Sequence, residues 1–223
     1  SYGEYIFDWG WASGARRAGL AYYPKLTNAV PFTPATGPRL LVHPEADTDG
    51  VRHTLAKAQL VLMDRVGCHS AHVLFCTADE QRVLTAAGYI PRKTHQYHWE
   101  NRGYRDFDDF LGAFVSKRRK EVRRERRQAQ GHGLTIRVLQ GPDLQERHWD
   151  ALYRFYQDTT SKRWGSPYLN RAFFRQLAET FAHRVVAVIA ERGEQPVAGT
   201  LNFRKGHHLY GRYWGCLQEY DCL

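Results

Sequence analysis

Apolar positions recur three and four residues apart in several stretches of the chain and alternate in others. The change of period lays out the elements. Residues 4–18 predict a helix with Tyr5, Trp9, Ala12 and Arg16 on one face and Gly19 placed to stop it. Residues 22–42 hold Pro24, Pro31, Pro34 and Pro38, which break a helix and spoil an inner strand, so this stretch predicts extended backbone with turns. Its end, RLLV at 39–42, has the composition of a strand. Residues 50–66 predict a helix through Val51, Leu55, Ala58, Leu62 and Val66. AHVLFC (71–76) predicts a short buried strand, residues 78–88 a helix ended by Gly88, and THQYHWE (94–100) an aromatic strand.

The second half repeats this alternation of helix and strand. Asp106 is placed as an N-cap for one helix over 107–130, and Phe107, Phe110, Leu111, Phe114 and Val115 carry its apolar stripe. LTIRVL (134–139) predicts a strand. Residues 143–157 predict a helix with Leu144, His148, Leu152 and Phe155 on one side. A polar loop, DTTSKRWGSPY, follows, and then a helix over 170–183 with Phe173, Phe174, Leu177 and Phe181 on its stripe. Residues 185–192, 197–204 and 209–217, joined by GEQP and KGHH turns, predict an antiparallel three-stranded meander. The fold class is therefore α/β with mixed sheets.

With 223 residues and 43% apolar side chains, the chain suits one large domain or two small ones. Its formal net charge is +9, of which residues 116–130 supply +6, so the basicity is local. Cys68, Cys76, Cys216 and Cys222 show no CxxC spacing, which points to a reducing cytoplasm. No apolar run reaches the roughly 20 residues of a membrane span. A start without Met and a stop after a strand-like run point to a fragment of a longer protein.

SKRRKEVRRERRQAQ (116–130) packs eight basic residues and two glutamates into one helix. Past Val115 only Val122 and Ala129 suit burial, so basic groups surround most of its circumference. Lys117, Arg119, Lys120, Arg123, Arg124, Arg126 and Arg127 are the candidates for contact with nucleic-acid phosphates. The alternative is a solvated face with weak intrahelical pairs such as Lys117–Glu121. No zinc-finger, helix-turn-helix or RNP pattern accompanies the run, so base-specific readout is not expected.

Other chemistry is sparser. Cys68, His69, His72 and Cys76 flank a strand whose alternation sends them to different faces, so no metal site is predicted. RRAGLA (16–21) and QAQGHG (128–133) match a pyrophosphate-loop pattern in letters. Both follow a helix instead of opening one, so they read as chance. The rigid Pro-rich stretch offers Tyr23, Lys25, Thr33, Thr36, Gly37 and Arg39. In LYGRYWG, strict alternation puts Tyr210, Arg212 and Trp214 on one face, with Leu209, Gly211, Tyr213 and Gly215 on the other. An arginine between aromatics suits a carboxylate or phosphate, and the alternative is a structural stack at a sheet edge. Trp164, in the polar loop, joins the candidates for substrate contact.

In FDWGWA, YYPKL, VPFTPATGPRLLV, SKRRKEVRRER, FYQDTTSKRWGSPYL and LYGRYWG the chain resembles a bacterial family of predicted N-acyltransferases, also described as peptidoglycan biosynthesis/recognition proteins. These are similar to the Fem-type aminoacyltransferases and belong to the GNAT superfamily. The resemblance implies tandem GNAT-like halves. Residues 1–104 would be the later part of the first, 105–133 a basic connecting helix, and 134–223 the front part of the second. It implies transfer of an acyl or aminoacyl group from acyl-CoA or aminoacyl-tRNA, used as co-substrate with no tightly bound cofactor. The acceptor would be a small amine or cell-wall precursor, and tRNA a partner. The resemblance brings no catalytic residue with it. From the residues themselves Tyr210, Arg212, Lys25 and Tyr23 are the catalytic candidates, with Thr33, Thr36, Gly37, Arg39, Trp164 and Trp214 for substrate contact. The competing class is a non-enzymatic module that binds RNA or another anionic polymer through the basic helix.

Overall fold

A computed structural model describes residues 8–162 and 167–223. Seven α-helices and two sheets lie among these residues, so the fold is mixed α/β. The chain divides into two compact units, within Ser1–Trp99 and within Glu100–Leu223.

In the first unit helix α1 (Trp9–Arg17) precedes strand β1 (Lys25–Asn28), helix α2 (Thr48–Arg65), strand β2 (Ser70–Val73) and helix α3 (Ala78–Ala86). β1 and β2 pair in parallel, Lys25 opposite Ser70 through Asn28 opposite Val73. The core is small: Leu40, Ala56 and Leu84, with Leu55, Val73, Cys76, Ala87 and Tyr89 packed on it. Several expectations change here. The predicted first helix begins at Trp9 among the described residues, and Tyr5 lies outside them. The packed face of α2 centres on Leu55, Ala56, Gln59, Leu60 and Met63, while Leu62 and Val66 of the predicted stripe are exposed. β2 is half-buried and ends at Val73. RLLV forms no strand, because the Arg39 and Leu40 N–H groups donate to the Glu80 carboxylate at 2.7 and 2.6 Å instead of to a ladder. THQYHWE forms no strand either. It finds no ladder partner among the described residues, and Tyr97 stands fully exposed.

The second unit holds helices α4 (Phe107–Gly112) and α5 (Ser116–Gln130), strand β3 (Thr135–Gln140), helices α6 (Glu146–Lys162) and α7 (Arg171–Thr180), and strands β4 (Val185–Arg192), β5 (Gln195–Lys205) and β6 (His208–Cys216). All four strands are antiparallel in the order β3-β4-β5-β6, which contains the predicted meander. The single helix predicted over 107–130 is two. Val115 takes an extended ψ of 150°, and the Arg119 guanidinium turns back to the carbonyls of Leu111, Gly112 and Phe114 that end α4. These bonds satisfy helix-end acceptors that a continuous helix would have used internally.

Trp149, Leu152, Phe155 and Tyr156 of α6 and Phe174 and Leu177 of α7 bury against Val185, Ala187, Ile189 and Leu201 of the sheet. The stripe of His148, Leu152 and Phe155 on α6 is buried as predicted, while Leu144, also buried, lies just ahead of the helix, which starts at Glu146 and not at 143. On α7 only Phe174 and Leu177 are buried, and Phe173 and Phe181 stay exposed. α6 runs five residues into the expected polar loop, through Lys162. It presses so closely on β6 that a Cβ at Gly215 would stand 2.4 Å from the Phe155 carbonyl oxygen.

Candidate functional site

β6 does not alternate as its sequence suggests. Leu201 pairs with Tyr213 and Asn202 with Gly211, so Arg212 is an extra residue in a bulge. Tyr210 and Tyr213 therefore share the face of Phe203 and Leu201, and Gly211 and Trp214 lie on the other. The expected face of Tyr210, Arg212 and Trp214 does not exist, because one inserted residue inverts the order of faces after it.

The bulge aims Arg212 at a group of tyrosines. Its guanidinium carbon lies 4.4 Å over the Tyr213 ring, and its Nη2 donates to the Tyr168 hydroxyl at 2.8 Å. The Tyr168 and Tyr213 hydroxyls are 2.5 Å apart. Below them the Tyr213 ring meets Tyr156 edge-on at 4.9 Å, and the fully buried Tyr156 hydroxyl accepts from the Tyr168 and Leu169 N–H groups at 2.8 and 3.0 Å. Two backbone donors thus fix Tyr156, which seats Tyr213 and holds the segment carrying Tyr168. Burial, then the bond to Tyr168, pushes the Tyr213 hydroxyl well above the ordinary tyrosine range. Tyr213 therefore stays protonated at neutral pH and is not a base. Arg212 adds a permanent positive charge, and Tyr168 is 39% exposed and reachable from solvent.

Elsewhere on β6, the exposed Tyr210 stacks on His208 with centroids 6.1 Å apart. Trp214 is half exposed and lines a cavity of about 420 Å³ with Asp158, Thr159, Lys162, Cys216 and Tyr220. Trp164 lies outside the described residues.

The remaining candidates lie in the first unit. Lys25 buries its ammonium against Asp8, Nζ to Oδ2 2.6 Å, and Arg92 holds the other carboxylate oxygen at 2.7 Å. His72 stands 3.7 Å from Oδ2. Burial would raise the Asp8 carboxyl, but hydrogen bonds from Lys25 and Arg92 outweigh it and lower it to about 2. The Lys25 ammonium also lies 5.7 Å from the centroid of the exposed Tyr23 ring. Arg39 spends its guanidinium on the carbonyls of Leu74, Gly37, Pro38 and Ala35, and so clamps the Pro-rich loop. Gly37 donates to the Phe75 carbonyl, Thr33 to that of Pro31, and Thr36 is exposed. Both glycines of the two pyrophosphate-loop matches that take positive φ, Gly19 and Gly133, lie just beyond helix ends.

Of the seven basic candidates, Arg119, Arg123 and Arg126 are engaged with α4. Arg123 pairs with Asp108 at 3.0 Å, and the Arg126 guanidinium carbon lies 4.2 Å from the Phe107 ring centroid. Lys117, Lys120, Arg124 and Arg127 are exposed. Glu121 pairs with Arg118 at 2.7 Å and not with Lys117.

Tyr168, Tyr213, Tyr156 and Asp8 escape a reading of the sequence. Tyr168 and Tyr156 stand twelve residues apart with no period to join them. Tyr213 is hidden by a bulge that composition does not mark. The first signal available for Asp8 is its place in FDWGWA, an aspartate among aromatics.

Among the described residues no three His, Cys, Asp or Glu side chains come together as a metal site, and no helix is long and apolar enough to cross a membrane. All four cysteines are free thiols. The chain matches, over residues 1–223, the model of the FemAB-like family, described as peptidoglycan biosynthesis/recognition. Comparison with curated proteins gave no match.

Proposed function

The chain belongs to the FemAB-like family, and from that premise we propose that it is an N-acyltransferase of peptidoglycan precursor metabolism. It moves an acyl or aminoacyl group from an activated donor, acyl-CoA or aminoacyl-tRNA, to an amine. The N–C bond forms as the thioester C–S or ester C–O bond breaks. The amine proton ends on the leaving sulfur or oxygen.

The observation that carries this reading is the bulge that turns Arg212 out of the β5–β6 ladder onto Tyr168 and Tyr213. Addition of an amine to an acyl carbonyl builds negative charge on oxygen. Fixed N–H and O–H donors stabilise that charge without reorganising. Arg212 supplies charged N–H donors, Tyr168 a reachable hydroxyl, and Tyr213 a phenol held protonated beneath them. Tyr210, on the same strand as Arg212, stands as a candidate for relaying the amine proton, and Lys25 and Tyr23 are separate candidates within the first unit. Lys25 meets that role only if its pair with Asp8 opens, since an ammonium held by a carboxylate does not accept a proton.

We further propose that the two compact units are tandem GNAT-like halves. The order β3, α6, α7, β4, β5, β6 in the second fits the front part of such a domain through its central meander. α4 and α5 are the connecting segment.

The test is to incubate the protein with acyl-CoA or charged tRNA and amine acceptors, with mass spectrometry of the products. A new amide from one donor, lost in Arg212→Ala, is expected. No amide from either donor, or equal yield from Arg212→Ala, overturns the reading.

A further inference from the structure

The eight basic residues between Lys117 and Arg127 are not equivalent. α5 rests on the body through the buried Ala129 and the half-buried Val122 and Glu125. Arg119, Arg123 and Arg126 turn to α4, and Arg118 is paired with Glu121. That leaves Lys117, Lys120, Arg124 and Arg127, all exposed, with no side-chain ion pair or hydrogen bond to them seen among the described residues. Their spacing is three, four and three. At 3.6 residues per turn the four fall within an arc about 80° wide and extend over about 15 Å of axis. No carboxylate and no aromatic ring lies within that arc. Like charges at these spacings repel along a helix, a cost that a bound polyanion relieves.

We propose that this stripe is a contact rail for a nucleic-acid backbone, bound through its phosphates without base readout. The line of single cations, each about 4.5–6 Å along the axis from the next, suits a linear run of phosphates. Without aromatic side chains the stripe offers bases no stacking platform. A bilayer surface is a poorer match, because an interfacial helix turns its apolar face to lipid, and the apolar face of α5 is turned to the protein. The proposal rests on the stripe alone and is read by binding without turnover. A failure of acyl transfer and a failure of this surface are therefore separate results.

The measurement is fluorescence anisotropy of labelled oligouridylate with the full chain over a potassium chloride series. Four phosphate contacts on a single strand give a slope of log affinity against log salt of about −2.8. Replacing Lys117, Lys120, Arg124 and Arg127 by Gln should abolish most of the slope, and Lys117→Gln with Lys120→Gln should remove about half. A control that replaces the exposed Arg154, Arg175, Arg204 and Lys205 by Gln removes the same charge elsewhere on this unit and should keep the slope. Absent binding, a quadruple variant that binds like wild type, or a control that loses as much, overturns the proposal. So does retention on phosphatidylserine vesicles with no retention on RNA, which would assign the stripe to a membrane surface.

Discussion

Arg212 and Tyr168 are joined across the β6 bulge, guanidinium Nη2 to phenol oxygen at 2.8 Å, while the same guanidinium covers the Tyr213 ring. A lysine keeps the charge but loses the planar stack and the directed bond. Arg212→Lys is therefore expected to lower kcat for amide formation by about a hundredfold, the scale of one lost oxyanion donor. Because Arg212 lies on the surface of the sheet, the unfolding midpoint should hardly move. Tyr168→Phe should lower kcat less, by about tenfold, since Arg212 remains. A lysine variant with wild-type kcat would remove Arg212 from the reaction.

Asp8 is a buried carboxylate held by both Lys25 and Arg92. Asp8→Asn removes a buried charge that Lys25 and Arg92 both hold, which costs about 3 kcal/mol. Arg92→Met should cost less, because that side chain is 38% exposed. The folded carboxyl titrates at about 2 and an unfolded one at about 3.9, so the folded state binds fewer protons between them. Its contribution, about 2 kcal/mol, is whole above the unfolded value and is lost as pH falls towards the folded one. Glu80 acts in the same direction, its carboxyl lowered by backbone donors that outweigh its burial. Urea midpoints of the wild type should fall steeply below about pH 4. Those of Asp8→Asn should fall less. Equal pH dependence in the two proteins would contradict this account.

The meander, the α6 stripe and the α3 helix are legible in sequence, because each depends on local period. What sequence hides is long-range competition for hydrogen bonds. RLLV has strand composition, yet a buried glutamate forty residues on takes its N–H groups. THQYHWE alternates correctly and joins no ladder among the described residues. The helix over 107–130 breaks where Arg119 caps the turn before it. The site suffers most, since the bulge at Arg212 reverses the order of faces and brings in Tyr168, which no pattern connects to LYGRYWG.

Gly215 marks where β6 touches α6. An added Cβ would meet the Phe155 carbonyl oxygen at 2.4 Å and Thr159 Oγ1 at 2.6 Å. Backbone cannot yield as a side-chain tip does, so Gly215→Ala should destabilise the second unit by about 2 kcal/mol. Gly10→Ala, at a helical position with open space around it, should stabilise slightly. Thermal melts of the two variants should move in opposite directions, and a Gly215→Ala variant as stable as wild type would mean that α6 does not press on β6.

His148 sets a second, higher pH window. Its Nδ1 accepts the Gln145 N–H at 3.0 Å, so Nε2 carries the proton and faces Glu191 Oε1 at 3.4 Å. A second proton has no place without breaking the first bond. Burial lowers the folded pKa below the ordinary histidine value, and Arg147 and Arg137 add to this against the pull of Glu191. The groups facing the ring are therefore one carboxylate and two guanidiniums, Arg137 and Arg147 each bonded to that carboxylate, at 2.9 and 3.1 Å. Below pH about 6.5 an unfolded histidine takes up a proton that the folded one resists. Stability should then fall as pH drops from 7 to 5, above the range where Asp8 and Glu80 titrate. His148→Gln keeps a polar side chain and cannot titrate. It should lower stability at pH 7 by about 1–2 kcal/mol and flatten the loss between pH 7 and 5. A variant whose midpoint still falls in parallel with wild type over that interval would assign the window to another group.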